Sequence, residues 1–476
     1  MAKLTSYLAI SLLFCVIISS HAQERAPDQI IEVFRHGARA PLHDYDPSWK
    51  PSEFGNLTAI GMRQQYVLGK LLASKYPTIF GASYDPDQVY MLSDITPRCI
   101  QSAYAQLQGI YEGKGLELRQ GFPSSLAVPP NKDERVGEII NRMTGLEALP
   151  NHNIVPIVNI IEKDKTYVFK SNGPECPNGK KWEEENALDK RAQEGLKIFN
   201  STIENINKKA NGAFKLKTFK EFKAFCATIV VDLADNRTLP YGIGEDKDLV
   251  SNITYAYEFT AYQIWGGQKQ QVQLYSFGMI DAILEQMEAF KTGKSNRKAV
   301  LYSAHDGNLF SLLSAFDVLH TSCLLDNFYA SLKGQELPFQ NCTYPYFASN
   351  LIVEFYNATV NESASVKVLF NSQVLRFCKG QDKCPYEEFV MVARNATGNM
   401  TLEAYPEKCG ISASSVPQLE SSGSWGKNLM ILMLMVLCLM LLADRINTRR
   451  KMGQGRQAYF KIEDSKEGIQ LPYTNL

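Results

Sequence analysis

The sequence predicts an α/β fold, with a three-layer core whose mixed, mainly parallel sheet is flanked by helices and interrupted by a mostly helical inserted cap. Three observations predict it. Short apolar runs rich in β-branched residues alternate with helix-length segments, which argues for parallel strands joined by crossover helices. The stretch from about residue 121 to 260 turns polar and helical between two such runs. Of 476 residues, 45% are hydrophobic, enough to bury a large core in one domain or two.

The elements follow in chain order. Gln29 to Phe34 reads as the first strand. Leu57 to Leu72 reads as a helix started by Thr58, with Met62, Leu68, Leu71 and Leu72 toward a core, and Gln88 to Leu92 as a second strand. Glu183 to Ile206 and Phe219 to Ala234 are the helical pieces of the cap at about 121–260. The helix Tyr275 to Lys291 leads through a turn to Lys298 to Ser303, a buried strand. Leu351 to Tyr356 and Ser365 to Phe370 form a late antiparallel pair that completes the sheet.

Both ends of the chain place it in the secretory pathway. Residues 1–22 read as a signal peptide, with Lys3, an apolar run from about Tyr7 to Ile18 and Ser20-His21-Ala22 before the cleavage point. Residues 23–410 form the expected folded domain and 411–427 a Ser-rich linker. Residues 428–444 read as a single membrane span and 445–476 as a cytoplasmic tail. The unbroken apolar stretch Leu429 to Ala443 is short, but Trp425 and Lys427 extend it outward. Arg445, Arg449, Arg450 and Lys451 set its inner side, giving type I topology. Asn-x-Ser/Thr acceptors at Asn56, Asn200, Asn236, Asn252, Asn341, Asn357, Asn361, Asn395 and Asn399 all lie between signal and span, which agrees with a glycosylated lumenal domain.

Charge and cysteines narrow the function classes. Fifty basic and fifty acidic residues leave no net charge, which removes any whole-chain electrostatic case for nucleic acid. Eight cysteines lie outside the signal and the span: Cys99, Cys176, Cys226, Cys323, Cys342, Cys378, Cys384 and Cys409. In an oxidising compartment they suggest four disulfides, of undetermined pairing. Their wide spacing, with no Cys-x2-Cys pair, argues against zinc, so no metal or other cofactor is expected.

The chemistry concentrates at three strand ends. After the first strand comes Arg35-His36-Gly37-Ala38-Arg39-Ala40-Pro41, which surrounds one imidazole with two forked cations. Such a nest suits a phosphate, and its positive field should keep His36 neutral and nucleophilic in acid. The second strand leads to Arg98 just inside a helix start, a favourable place for an anion. The strand ending at Ser303-Ala304 runs into His305-Asp306, a second imidazole and a carboxyl able to protonate a leaving oxygen.

With these residues the sequence resembles the histidine acid phosphatase branch of the histidine phosphatase superfamily. The signature Arg-His-Gly-x-Arg-x-Pro is matched in full at 35–41. Leu57-Thr58, Gly61, Gln65, Leu68-Gly69, Arg98 with Ser102-Ala103, and His305-Asp306 match as well, and the resemblance covers about residues 25 to 410. It is similar to the membrane-bound lysosomal and prostatic-type enzymes. The resemblance implies a phosphoglycerate-mutase-like core and a two-step hydrolysis of phosphate monoesters. His36 would be the nucleophile that forms a phosphohistidine, and Asp306 the proton donor. Arg35, Arg39, Arg98 and His305 would hold the phosphoryl oxygens. It also implies disulfides Cys176–Cys409, Cys226–Cys342 and Cys378–Cys384, leaving Cys99 with Cys323. One departure stands out: where relatives carry Arg-Ser-Thr, this chain has Leu92-Ser93-Asp94, which puts specificity in question.

Other readings are weaker. A phytase or inositol-polyphosphate phosphatase would need further cations in the cap, for which Lys180, Lys181, Lys208 and Lys209 are the sequence candidates, though they read better as solvated. A catalytically idle surface receptor of the same fold would not need the complete set of site residues, and a mutase-like transferase does not suit the secretory route. His152 and His320 read as structural, and His43 as a solvated loop residue near the pocket mouth. Tyr459-Phe460-Lys461-Ile462 and Tyr473-Thr474-Asn475-Leu476 both fit Tyr-x-x-apolar, which points to sorting adaptors as partners. Expected partners also include small phosphomonoester substrates, the membrane and a second copy of the chain in a homodimer. The expected site of action is a lysosomal or endosomal membrane or the cell surface.

Overall fold

The computed structural model describes residues 25–121, 129, 135–140, 145–169, 176–340 and 342–411. Strand β1 (Gln29–Arg35) is buried at every position, as expected of a strand covered on both faces. Helix α1 (Ala59–Lys75) starts where the Thr58 hydroxyl accepts the Gly61 N–H at 3.2 Å. Strand β2 (Val89–Ser93) runs into helix α2 (Pro97–Ile110), whose first residue is the proline that this position favours. The short strand β3 (Asn159–Ile160) precedes five helices. These are α3 (Pro177–Asn186), α4 (Lys190–Ile198), α5 (Asn200–Lys209), α6 (Phe219–Ala234) and α7 (Lys247–Gly266).

Helix α8 (Lys269–Lys291) then leads to β4 (Ala299–Ala304), and β4 to α9 (Asp306–Ala315) and α10 (Thr321–Leu332). Strands β5 (Asn350–Tyr356), β6 (Ser365–Phe370), β7 (Gln373–Val374) and β8 (Cys384–Pro385) finish the sheet before helix α11 (Tyr386–Ala396). Strand order is β3-β2-β4-β1-β5-β6-β7, with β8 also paired to β6.

The sheet is mixed, as predicted, but not mainly parallel. Pairings among β3, β2, β4 and β1 are parallel, whereas β5 lies antiparallel to β1 and every later pairing is antiparallel. Two layers of helices cover it. On one face Leu72 of α1 and Leu107 and Ile110 of α2 pack with Phe34, Val89 and Met91. On the other, Ile229, Phe259, Met279 and Leu309 from α6 to α9 join Ile31, Val33, Val300 and Tyr302. Each such buried side chain contributes about 1.5–3 kcal/mol.

Two expectations are corrected here. The single helical piece Glu183 to Ile206 is three helices, because the Asp189 carboxylate caps a new start by accepting the Ala192 N–H at 2.8 Å. Among the cysteines, Cys176–Cys409 and Cys378–Cys384 are bonded as implied, but Cys342 pairs with Cys323. Cys323 opens α10 only 19 residues before Cys342, while Cys226 is buried on α6 within the apolar layer and Cys99 lies on α2 beside His305. The pairings of Cys226 with Cys342 and of Cys99 with Cys323 are therefore excluded.

The described residues through Ile411 belong to one compact unit, and none of their helices is long and apolar enough to cross a membrane. The signal at 1–22, the linker from Ser412, the span at 428–444, the tail and its two tyrosines lie outside the described residues. Of the glycan acceptors, Asn341 also lies outside them, and none of the other eight is buried.

Candidate active site

Register brings the three chemistry-bearing strand ends level. In the parallel trio β2-β4-β1, Ser93 pairs with Ser303 and Arg35 with Ala304, so Asp94, His305 and His36 leave the sheet together at its carboxyl edge. That edge is where open α/β sheets bind ligands. The loop after β1 is pressed onto the first turn of α1. A Cβ on Gly37 would sit 2.2 Å from the Gly61 carbonyl oxygen, so the close approach requires glycine. Gly37 N–H donates to Ser102 Oγ at 3.1 Å, and Gln65 Nε2 donates to the Arg35 carbonyl at 2.8 Å. The helix residues that match the signature thus hold the loop in shape.

His36 Nδ1 lies 2.8 Å from the Gly37 carbonyl oxygen, so this nitrogen carries the proton and donates it. Nε2 is left with its lone pair, which accepts Arg98 Nε–H at 3.0 Å. Burial holds the imidazole well below the ordinary histidine range, and Arg98, Arg35, His305 and Arg39 push the same way. The sequence attributes this neutrality to the arginine field; burial is the larger cause. His36 is therefore neutral in acid, with the Nε2 lone pair able to act as a nucleophile.

Arg35 is fully buried. Its Nη2 meets Asp306 Oδ2 at 3.0 Å, its Nη1 donates to the Pro345 carbonyl at 2.8 Å, and its guanidinium lies 4.1 Å from the centre of the Phe347 ring. Arg39 donates to the Ala40 carbonyl at 2.9 Å. Burial and the neighbouring Arg35 and Arg98 pull its pKa down to about 10, which leaves it a cation. Arg35 Nε and Arg39 Nε are buried with no acceptor among the described residues, as suits an anion's oxygens.

His305 rests on Asp94, Nε2 to Oδ1 at 3.1 Å, with Nδ1 3.5 Å from Arg98 Nη2. Burial lowers its pKa against the opposing pull of Asp94. Asp306 opens α9 and accepts from Tyr344 OH at 2.8 Å. Burial pushes this carboxyl up, yet Arg35, the Tyr344 hydrogen bond, Arg39 and His305 outweigh it and hold it well below the usual carboxylate range. Asp306 is ionised at rest.

A cavity of about 590 Å³ opens over His36, Arg39, Arg98, His305 and Asp306. All six predicted site residues thus meet at one place, with Arg35 beneath the floor. Asp94, Cys99 and His305 also bring potential metal-ligand atoms within 4.8 Å of one another. Cys99 Sγ, however, donates to the Ala304 carbonyl at 3.4 Å and lies 3.7 and 3.8 Å from the two ring nitrogens.

Residues 43–371 match the family model of the histidine phosphatase superfamily (branch 2). The chain belongs to this family. It is 27% identical over 320 residues to the prostatic acid phosphatase of Bos taurus, covering 66% of this chain and 74% of that one. It is 24% identical over 362 residues to the lysosomal acid phosphatase of Xenopus laevis, covering 73% of each. Among solved structures, the phytase of Citrobacter braakii superposes with a TM-score of 0.51 at 13% identity, over 82% of this chain and all of that one. That likeness is one of fold.

Sequence reasoning missed several residues of this histidine phosphatase site. Tyr344 and Phe347 come from the irregular segment before β5, where no periodic pattern marks them. Lys220 and Lys223 of α6 and Trp265 of α7 line the cavity because the cap folds over it. Asp94, the departure singled out in the sequence, contacts His305. His43 lines the cavity. His152 pairs with Glu117 on the surface, and His320 caps α10, both structural as expected.

Proposed function

We propose that this histidine phosphatase hydrolyses phosphate monoesters in acid through a covalent phosphohistidine on His36. The observation that carries the reading is the His36 tautomer: Nδ1–H is tied to the Gly37 carbonyl and the lone pair of Nε2 is directed among three arginines. In the first step Nε2 attacks phosphorus, the N–P bond forms and the P–O bond to the alcohol breaks, with the leaving oxygen taking a proton from Asp306. In the second, Asp306 takes a proton from water, the resulting oxygen nucleophile attacks phosphorus, and the N–P bond breaks to release phosphate and neutral His36. Arg35, Arg39, Arg98 and His305 stabilise the equatorial oxygens throughout.

Asp306 must gain its proton in the complex. At rest the cations outweigh the burial that pushes its pKa up. A bound phosphoryl dianion engages those cations and cancels their field, so burial prevails and the carboxyl protonates. Its folded-state pKa rises on binding, and acid activity is retained only below that raised value.

The intact set of six residues favours an enzyme over an idle receptor. The lysines considered for a phytase do not line the cavity: Lys181 pairs with Glu185 and Lys209 donates to the Gly242 carbonyl. We further infer that residues 23–410 are the lumenal phosphatase domain, with a cap at about 121–260. Residues 1–22 are its signal and 428–444 its single span, supported by the flanking charges and the placement of the glycan acceptors. The relatives named for prostate and lysosome suit a secretory or lysosomal location.

The test is hydrolysis of a generic phosphomonoester by the glycosylated domain from about pH 3 to 8, beside His36→Ala and Asp306→Ala. Acid activity should fall at least about 10³-fold in the first and by roughly 10²–10⁴-fold in the second, most on poor leaving groups. A wild-type rate flat from about pH 4 to 8 contradicts the role given to Asp306.

A further inference from the structure

The wall of the cavity opposite the sheet carries a cation that the hydrolysis does not use. Lys223, on α6, is partly buried and points its ammonium at Trp265 of α7, 4.1 Å from the ring centre. No carboxylate among the described residues lies within ion-pair distance of it, and its close contact is with the indole face. Lys220, one turn earlier on the same helix, and His43 also line the cavity. Among the described residues Glu183 is the only acid lining the cavity besides Asp306, and it accepts from the Tyr275 hydroxyl at 3.0 Å. Burial lowers the Lys223 pKa, with Asp306 and Glu183 opposing and Arg39 and Lys220 adding to the drop. A partly desolvated ammonium that forms no close ion pair gains from an anion that arrives to pair with it.

Direction connects this wall to the reaction. Asp306 protonates the leaving oxygen, so the leaving group lies on its side of the phosphoryl group and the rest of it continues into the cavity. Lys223 is close enough to Asp306 and Arg39 to interact with both charges. We propose that the preferred substrates are phosphomonoesters whose leaving group carries a carboxylate, which pairs with Lys223. This deepens, and rests on, the phosphomonoesterase reading of the same cavity. Trp265 holds the ammonium by its face and keeps the long side chain ordered, so that little rotamer freedom remains to be lost on binding.

The experiment compares 4-(carboxymethyl)phenyl phosphate with its methyl ester, which share leaving-group chemistry and size but differ by one charge, at about pH 5.5 where the carboxylate is ionised. The wild-type protein should favour the acid about tenfold in kcat/KM, and the ratio should shrink as salt is raised. Lys223→Met should bring the ratio to about one, and Lys223→Arg should restore most of it. A wild-type ratio near one with the methyl ester well hydrolysed overturns this inference and leaves the phosphatase intact, as does a ratio unchanged in Lys223→Met. If that variant fails to fold, a salt-insensitive preference in the wild type overturns it equally. Hydrolysis of neither ester overturns the phosphatase reading and this inference with it.

Discussion

At the residue scale, the site works by setting charge states against the solvent norm. His36 is kept neutral by burial and cations, while Asp306 is kept ionised by cations in spite of burial. The two are coupled through the phosphoryl group, because the same Arg35 that depresses Asp306 is a phosphate ligand in the proposed mechanism. Binding sulfate, which is already a dianion near pH 5, should therefore take up about one proton, since the anion engages the cations that hold the Asp306 carboxyl low in the free protein. Titration calorimetry in buffers of different ionisation enthalpy measures the uptake, and Asp306→Asn should abolish it. Sulfate binding without proton uptake would mean that Asp306 stays ionised and that the proton comes from elsewhere.

The residues proposed as catalytic stand out in the sequence because each follows a strand and the signature is contiguous. The roles of Tyr344 and Phe347 do not, and neither does the contact of Asp94 with His305, since these depend on distant backbone brought near by the sheet. Tyr344 follows Asp306 by 38 residues, with no spacing rule to connect them. The cavity lysines Lys220 and Lys223 were missed for a similar reason: the helical pattern shows that the cap exists, but which of its faces meets the cavity is set by packing.

At the element scale, helices α1 and α2 carry the signature loop and Arg98, and they approach each other through glycines. A Cβ at Gly109 would lie 2.0 Å from the Tyr66 carbonyl oxygen, and one at Gly69 would lie 2.1 Å from that of Gln106. Both neighbours are backbone, so neither can turn aside. Gly109→Ala should destabilise the domain by about 1–3 kcal/mol and lower kcat by displacing Arg98, despite the gain in helix propensity. Thermal melting and activity on one sample check this; an unchanged Tm would show that the helices can separate freely. The sequence placed α1, α6, β1 and β4 almost as observed, because the two strands are short apolar runs and the two helices start at a threonine cap, but Met62 and Leu71 of α1, expected toward the core, are exposed. It joined α3 to α5 because charged helix formers run through both breaks, and the Asp189 cap lies inside what reads as one pattern.

At the scale of the whole molecule, the described residues through Ile411 form one compact unit held by three disulfides. Cys176–Cys409 joins the start of the cap helices to the last described turn, a separation of 233 residues. Cys323–Cys342 and Cys378–Cys384 close local loops. A non-reduced digest should yield these three linked peptides, with Cys226 alkylated only after unfolding because it is fully buried. A Cys226–Cys342 peptide would contradict the arrangement of α6 and α10. Pairing could not be settled from sequence, since it depends on which cysteines the fold brings within bonding distance.

The account stands or falls on the covalent intermediate. Rapid acid-free quenching of the domain with a ³²P-labelled monoester, followed by alkaline digestion and peptide mapping, reads it directly. The account predicts label that survives alkali, is lost in acid, maps to the peptide containing His36 and is absent from His36→Ala. Turnover of the same substrate with no label trapped on His36, under conditions where hydrolysis of the intermediate limits the rate, would contradict it.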